Sequence, residues 1–313
     1  MRVLITGVAG QDGRHLARLL AARGHVLHGM ARHAPKDTAL RDVVLHLGDV
    51  ADAAHVGRVA AEVRPEVCYH LAAQHRSSSS LEGEDAQLVM RTNVTGAENI
   101  LASLQRHAPG CHTVLASSCQ VFGEPPTPLQ SESTPRDPRT AYAKSKAVAE
   151  ELGELHRTTH GMHVSTAILF NHESALRPER FVSARIARAA ARVARGHDEK
   201  LVLGNLDAQV DWMHAQDAVE ALRRIVEAPE PGVFVVGTGV LRTVRMMAEC
   251  AFSFVGRDWR CHVEEDRSLV RRSSALPYAA DASLLRRMTG WDVTISFEKL
   301  VREMVEFHVQ EVS

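Results

Sequence analysis

VLITGVAGQDG, residues 3–13, decides the fold of this chain. Val3–Thr6 is a short apolar run suited to a buried strand, and it breaks at Gly7. Gly7, Gly10 and Gly13 then recur in a G-x-x-G-x-x-G spacing. Leu16, Leu19 and Leu20 follow on one helical face, Gly24 closes that pattern, and Val26–Met30 reads as a second strand. Strand, glycine turn, helix and strand are thus packed into about 30 residues, the context in which a glycine trio means something. A tight turn there lets backbone approach a pyrophosphate, and the helix start turns free N–H groups towards it. The bland reading is that the glycines only let strand and helix pack closely.

The same alternation continues. Strands are expected at Val43–Leu47, Val67–Leu71, Val114–Ser117 and Val164–Phe170. Helices are expected at about 53–63, over a long stretch 82–107, and from Tyr142 to His160, where Gly161 stops the last. Such spacing predicts an α/β fold: a doubly wound parallel sheet (Rossmann) covered on both faces. Beyond residue 170 the regularity drops. Helices at 181–196 and 217–228 and strands at 201–203 and 233–236 predict a smaller, mixed substrate-binding domain. The division is read as 1–170 for the dinucleotide domain, with returning elements from about 213–240, and 171–313 mainly for the second.

The composition excludes several function classes. The chain has 313 residues, 45% apolar, with 37 basic and 38 acidic side chains and a net charge of −1. Nothing in that balance favours nucleic acid or a membrane surface. The 18 histidines are scattered and the five cysteines widely spaced, so no metal site is expected and the thiols read as free in a reducing compartment. No apolar run reaches membrane-spanning length, and the cytoplasm is the expected location.

Chemistry is expected around ASSCQVFG, residues 116–123, and YAKSK, residues 142–146. Tyr142 and Lys146 lie four apart on a helix and face the same way. A neighbouring ammonium is expected to draw the phenol's pKa towards neutral, so that Tyr142 takes a proton from a sugar hydroxyl as hydride departs. Ser118 offers a hydroxyl to the same oxygen. Ser117 reads as a strand end. Cys119 has no evident base beside it and reads as an inert thiol. At the end of the second strand stands Arg32 rather than an acid, which favours NADP over NAD, although a surface arginine reads equally well. Asp49 is placed to accept from an adenine amine, or is simply a solvated loop aspartate.

These residues carry a resemblance. The chain resembles an extended short-chain dehydrogenase/reductase, and within that group the GDP-mannose 4,6-dehydratase family. The stretches are TGVAGQDG at 6–13, HLAAQ at 70–74, RTNVTGAENIL at 91–101, YAKSK at 142–146, LFNHESALRPERFVSARI at 169–186, LGNLDAQVDWMHAQDAVEAL at 203–222 and LVREMVEF at 300–307. The resemblance implies NADP held by Gly7, Gly10, Gln11, Asp12, Gly13, Arg32, Asp49, Val50, Leu71, Ala72, Ala73, Tyr142, Lys146, Leu169, Asn171 and His172. It implies a GDP-linked sugar near Ser80, Asn171, Glu173, Val182, Asn205 and Arg272. Ser118 matches the catalytic Thr or Ser and Tyr142 and Lys146 match the redox pair, together a trio. It further implies a homodimer built on helices at about 85–107 and 142–160.

The likeness breaks at Gln120, where the dehydratases carry Glu, at Val210, where they carry Arg, and at Ala184–Ile186. A carboxamide has neither a usable basic lone pair nor an acidic proton near neutral pH. The dehydratase cycle removes hydride from C4, a proton from C5 and water from C6, and its middle step calls for a base. Glu173 and Glu124 are the carboxylates to consider. The alternatives are a 4-keto-sugar reductase or C4 epimerase, which need only the trio, and an NADP-binding pseudoenzyme or regulatory subunit.

Overall fold

The computed structural model describes residues 1–34, 40–75, 84–198, 200–270 and 277–311. Along the first half run β1 (Arg2–Thr6), α1 (Gln11–Ala21), β2 (Val26–Ala31), β3 (Val43–Leu47), α2 (Ala53–Val63), β4 (Val67–His70), α3 (Glu84–Met90), α4 (Gly96–His107), β5 (His112–Ser118), β6 (Leu129–Gln130), α5 (Ala141–His160) and β7 (Val164–Leu169). Then come β8 (Asn171–Glu173), α6 (Val182–Ala194), β9 (Leu201–Leu203), β10 (Gln209–His214), α7 (Ala215–Val226), β11 (Val233–Val236), β12 (Leu241–Thr243), α8 (Val244–Phe254), β13 (Val263–Glu265), β14 (Ala279–Ala280), α9 (Ser283–Thr289) and α10 (Phe297–Glu311).

Seven of these strands form one parallel sheet in the order β11-β7-β5-β4-β1-β2-β3. The order runs outward in both directions from β1 and β4, so the crevice at their carboxyl ends is the switch point where doubly wound sheets bind ligands. α1 and α7 cover one face through Leu16, Leu20, Val219 and Leu222, with Trp291 sealing the edge. α2 and α4 cover the other through Val56, Val59, Ile100 and Leu104. Each such leucine contributes about 1.5–3 kcal/mol by leaving water. A second core gathers α6, α8 and α10 around Trp212. β11, from the second half, joins the large sheet beside β7.

The expected long helix over 82–107 departs from regularity. Between α3 and α4, Arg91–Thr95 is wound as a π-turn. The wider turn carries Asn93, which is buried, and such bulges concentrate at functional sites. Residues 82 and 83 lie outside the described part of the chain.

Candidate active site

The glycine turn forms a cradle that only glycine fits. Gly7 has φ +70°, and a Cβ there would lie 2.8 Å from the Cα and N of Ala72. A Cβ on Gly13 would lie 2.5 Å from the Cα of Val8. Gly10 caps α1 without any side-chain bond, and the first helical bond runs from the Arg14 N–H to the Gly10 carbonyl. The N–H groups of the first turn are therefore available to an anion. Gly7→Ala combines a left-handed backbone with a backbone clash, so it is expected to cost roughly 2–5 kcal/mol. Urea unfolding of the variant against the native chain measures this.

From the cradle a cleft of about 340 Å³ runs over the switch point, walled by Arg32, Asp49, Val50, Leu71, Ala72 and Ala73 among others. Its residues fit a dinucleotide: glycines where backbone must come close, a free helix start, and Arg32 at the end of β2. Asp49 has partners of its own within this wall. Its Oδ1 accepts from the Ala51 N–H at 3.0 Å, and its Oδ2 lies 3.7 Å from Arg91, so it also braces the turn after β3.

A second cleft of about 460 Å³ adjoins the first, sharing Gly10, Leu71 and Ala73. Ser118, Gln120, Tyr142, Lys146, Asn171 and His172 wall it. β5 delivers Ser118, a short turn after it delivers Gln120, and α5 delivers Tyr142 and Lys146. Ser118 stands beside the Tyr142 phenol and favours its ionised form, and the Ser118 Oγ accepts from the Gln120 N–H at 3.3 Å.

Here the geometry corrects one expectation. Lys146 does not draw the phenol's pKa down. Its Nζ donates to the Ala116 carbonyl at 2.7 Å and sits 5.8 Å from the Tyr142 ring centroid. Tyr142 is 9% exposed, and burial pushes its phenol above the ordinary range. Burial also lowers Lys146, to about 8.

Ser117 does more than end a strand: it walls the cleft and its Oγ donates to Glu150, whose other oxygen takes Arg136 Nε at 3.0 Å. Cys119 is buried and its thiol is pushed up to about 12, as an inert thiol should be.

His172 and Asp12 tie the glycine turn to β8. His172 Nδ1 faces the Phe170 carbonyl at 2.7 Å, and Nε2 faces Asp12 Oδ2 at 2.9 Å. Both partners are acceptors, so both ring nitrogens donate and the ring is an imidazolium. Burial opposes that charge, but Asp12 outweighs it and raises His172 above its usual value. Burial likewise opposes ionisation of Asp12, yet the imidazolium and the Gln11 amide hold its carboxyl far below the carboxylate range. Gln11 completes the tie, donating to the His172 carbonyl at 3.1 Å and accepting from Ser174 Oγ at 2.9 Å.

Asp12→Asn strands the imidazolium. Removing one partner of a buried pair costs roughly 3–5 kcal/mol, and the low end is expected here because the Asp12 side chain is 23% exposed. The raised His172 contributes stability below the ordinary histidine range and loses it as pH rises through the raised value. The depressed Asp12 contributes above the ordinary carboxylate range and loses it on acidification. The pair is therefore strongest at roughly pH 4–6.5, and the gap between native and variant unfolding curves should narrow above that window.

Other expected residues lie elsewhere. Glu173 is buried and walls neither cleft; its Oε2 accepts from Ser183 Oγ at 2.7 Å and pairs with Arg177 Nε at 3.0 Å. Val182 opens α6, and Asn205 accepts from the Asp207 N–H at 2.9 Å within its own turn; neither walls these clefts. Glu124 is exposed and is likewise absent from the walls. Ser80 and Arg272 lie outside the described residues.

The structure adds residues that the sequence reading passed over. Asn93 donates to Ser145 Oγ at 2.8 Å and accepts from the Gln74 N–H at 2.8 Å, joining α5 to the loop after β4. Arg177 and Arg180 bring positive charge to the cleft, with the Arg177 guanidinium 3.6 Å from the Phe181 ring centroid. His75 sits edge-on to Tyr142, ring centroids 4.6 Å apart. Its position just past the carboxyl end of β4 was the signal that could have found it.

A family model described as GDP-mannose 4,6 dehydratase matches residues 4–304. The chain belongs to the GDP-mannose 4,6 dehydratase family. It is 35% identical to GDP-mannose 4,6 dehydratase 1 of Arabidopsis thaliana, over 97% of this chain and 88% of that one. It is 34% identical to the GDP-mannose 4,6-dehydratase of Sinorhizobium fredii, over 96% and 95%. Among solved structures, RMD from Pseudomonas aeruginosa complexed with NADPH superposes with TM-score 0.84 at 25% identity, covering 99% of this chain and all of that one. A putative epimerase from Burkholderia cenocepacia reaches 0.87 at 25%, covering 99% and 98%. The fold is that of the extended short-chain dehydrogenase/reductases, and among the described residues no helix is long and apolar enough to cross a membrane.

Proposed function

We propose that this member of the family is an NADP-dependent dehydratase that converts GDP-mannose to its 4-keto-6-deoxy product. The observation that carries the reading is the meeting of Ser118, Tyr142 and Lys146 in a cleft continuous with the glycine cradle. Ser118 and the phenol wall the same cleft, so a sugar C4 hydroxyl seated on them finds both a donor and a proton acceptor. Lys146, anchored on the Ala116 carbonyl, keeps its charge beneath the phenol. When bound, the oxidised dinucleotide supplies the hydride acceptor and a positive charge that offsets the effect of burial on the phenol. Arg177 and Arg180 offer positive charge to an anionic sugar nucleotide. A homodimer through the outer faces of α4 and α5 belongs to the proposal, and light scattering on the eluted protein measures it.

A second reading is favoured by Gln120. The trio suffices for hydride exchange at C4, and a carboxamide in the cleft suits a 4-keto-sugar reductase. Incubation with NADP and GDP-mannose separates the two. The first reading requires the 4-keto-6-deoxy sugar. The second requires an unchanged GDP-mannose and oxidation of NADPH when a 4-keto sugar is supplied.

A further inference from the structure

Dehydration needs a group to take the C5 proton, and Gln120 does not supply one. Among the described residues, and apart from the arginines, the titratable side chains walling the chemical cleft are Asp12, His75, Tyr142, Lys146 and His172. Tyr142 and Lys146 serve C4. His172 already donates from both ring nitrogens and has no lone pair to offer. Asp12 is committed to His172 and is held too acidic to be a base. Of the nearby carboxylates outside the wall, Glu150 has one oxygen on Ser117 and the other on Arg136, and Glu173 is buried on Ser183 and Arg177. His75 remains. Its ring packs between Tyr142, at 4.6 Å, and Phe181, at 5.4 Å between centroids. Its Nδ1 is buried and meets no hydrogen-bond partner among the described residues, an orphan that calls for an explanation.

We propose that His75 is the catalytic residue that takes the proton from C5 and delivers it to the departing C6 hydroxyl. The inference rests on the dehydratase reading. Burial, with Arg177, Arg180 and Lys146 adding to it, lowers His75 to about 4. That matches the basicity of an ordinary carboxylate, the group missing at residue 120, and makes the imidazolium a strong acid once formed. The C5–H bond breaks and its electron pair enters the 4-keto system as an enolate. The C6–O bond then breaks, C5=C6 forms, and the imidazolium proton leaves with hydroxide as water. Hydride taken from C4 arrives at C6, and C5 regains one proton, balanced by the one released from the C4 hydroxyl at Tyr142. No outside oxidant or reductant is consumed.

The test uses the full chain with NADP and GDP-mannose, comparing native protein, His75→Ala, His75→Gln and His75→Ala with Gln120→Glu. Circular dichroism and titration with GDP-mannose establish that each variant is folded and binds. Product formation is expected to fall ~10²–10⁴-fold in both single variants. The initial rise in nicotinamide absorbance on adding sugar is expected to stay within a few fold of native. Added imidazole should restore part of the His75→Ala rate, and the carboxylate of the double variant should restore more. Native product rates in a folded His75→Ala overturn the role of His75 and leave the dehydratase reading intact. Parallel loss of binding and of the absorbance rise in both single variants also overturns it, because that marks a merely structural residue. A native protein that binds GDP-mannose and forms no product overturns the dehydratase reading, and the role of His75 with it.

Discussion

Tyr142→Phe is expected to lower turnover of GDP-mannose by ~10²–10⁴-fold, a barrier increase of about 3–6 kcal/mol, with binding of NADP and sugar nucleotide little changed. The substitution removes one oxygen and keeps the ring. The ring's packing against His75 is therefore preserved, while the hydroxyl beside Ser118 and the proton acceptor at C4 are lost. Burial sharpens the expectation, because water is largely excluded from a side chain 9% exposed and does not readily stand in for the lost oxygen. Steady-state kinetics should therefore show the loss in kcat rather than KM. No absorbance rise should follow addition of sugar to the variant. A loss of only a few fold would move the proton acceptor elsewhere in the cleft.

Arg32→Ala is expected to weaken NADPH binding by about 10–100-fold and leave NADH binding nearly unchanged. Arg32 is exposed on the wall of the dinucleotide cleft, just beyond β2. A guanidinium there can grip a 2′-phosphate through two parallel N–H groups, and hydrogen bonds to charged groups contribute about 1.5–3 kcal/mol. Exposure to solvent places the effect towards the lower figure at physiological salt, and lowering the salt should enlarge it. Fluorescence titration with the two reduced dinucleotides reads both arms. Equal weakening of NADPH and NADH would mean that Arg32 supports the loop and does not read the phosphate.

The sheet was legible because its rules are local. Val43–Leu47 and Val233–Val236 are apolar runs bounded by breakers, and they emerge as β3 and β11 with those bounds. Gly7 announced a turn because its backbone is left-handed and its Cβ position is filled by Ala72. The trio of Ser118, Tyr142 and Lys146 was legible from a strand end and a helical spacing of four. What spacing alone could not give was direction. Lys146 turns to the Ala116 carbonyl, 30 residues away on β5, and so its effect on the phenol was misjudged. The imidazolium of His172 arises only because Asp12, 160 residues earlier in the chain, arrives beside it. Asn93 sits on a π-turn in a stretch whose composition reads as ordinary helix. Glu173 looked available because its neighbours in sequence match the family's site positions, but Ser183 and Arg177 enclose it in space.

GDP-mannose carrying deuterium at C4, incubated with the native chain and NADP, gives the most direct test of the account. The deuterium is expected in the C6 methyl group of a 4-keto-6-deoxy product, with solvent hydrogen at C5. Recovery of unchanged sugar with its label still at C4 would contradict the dehydration and the passage of hydride from C4 to C6.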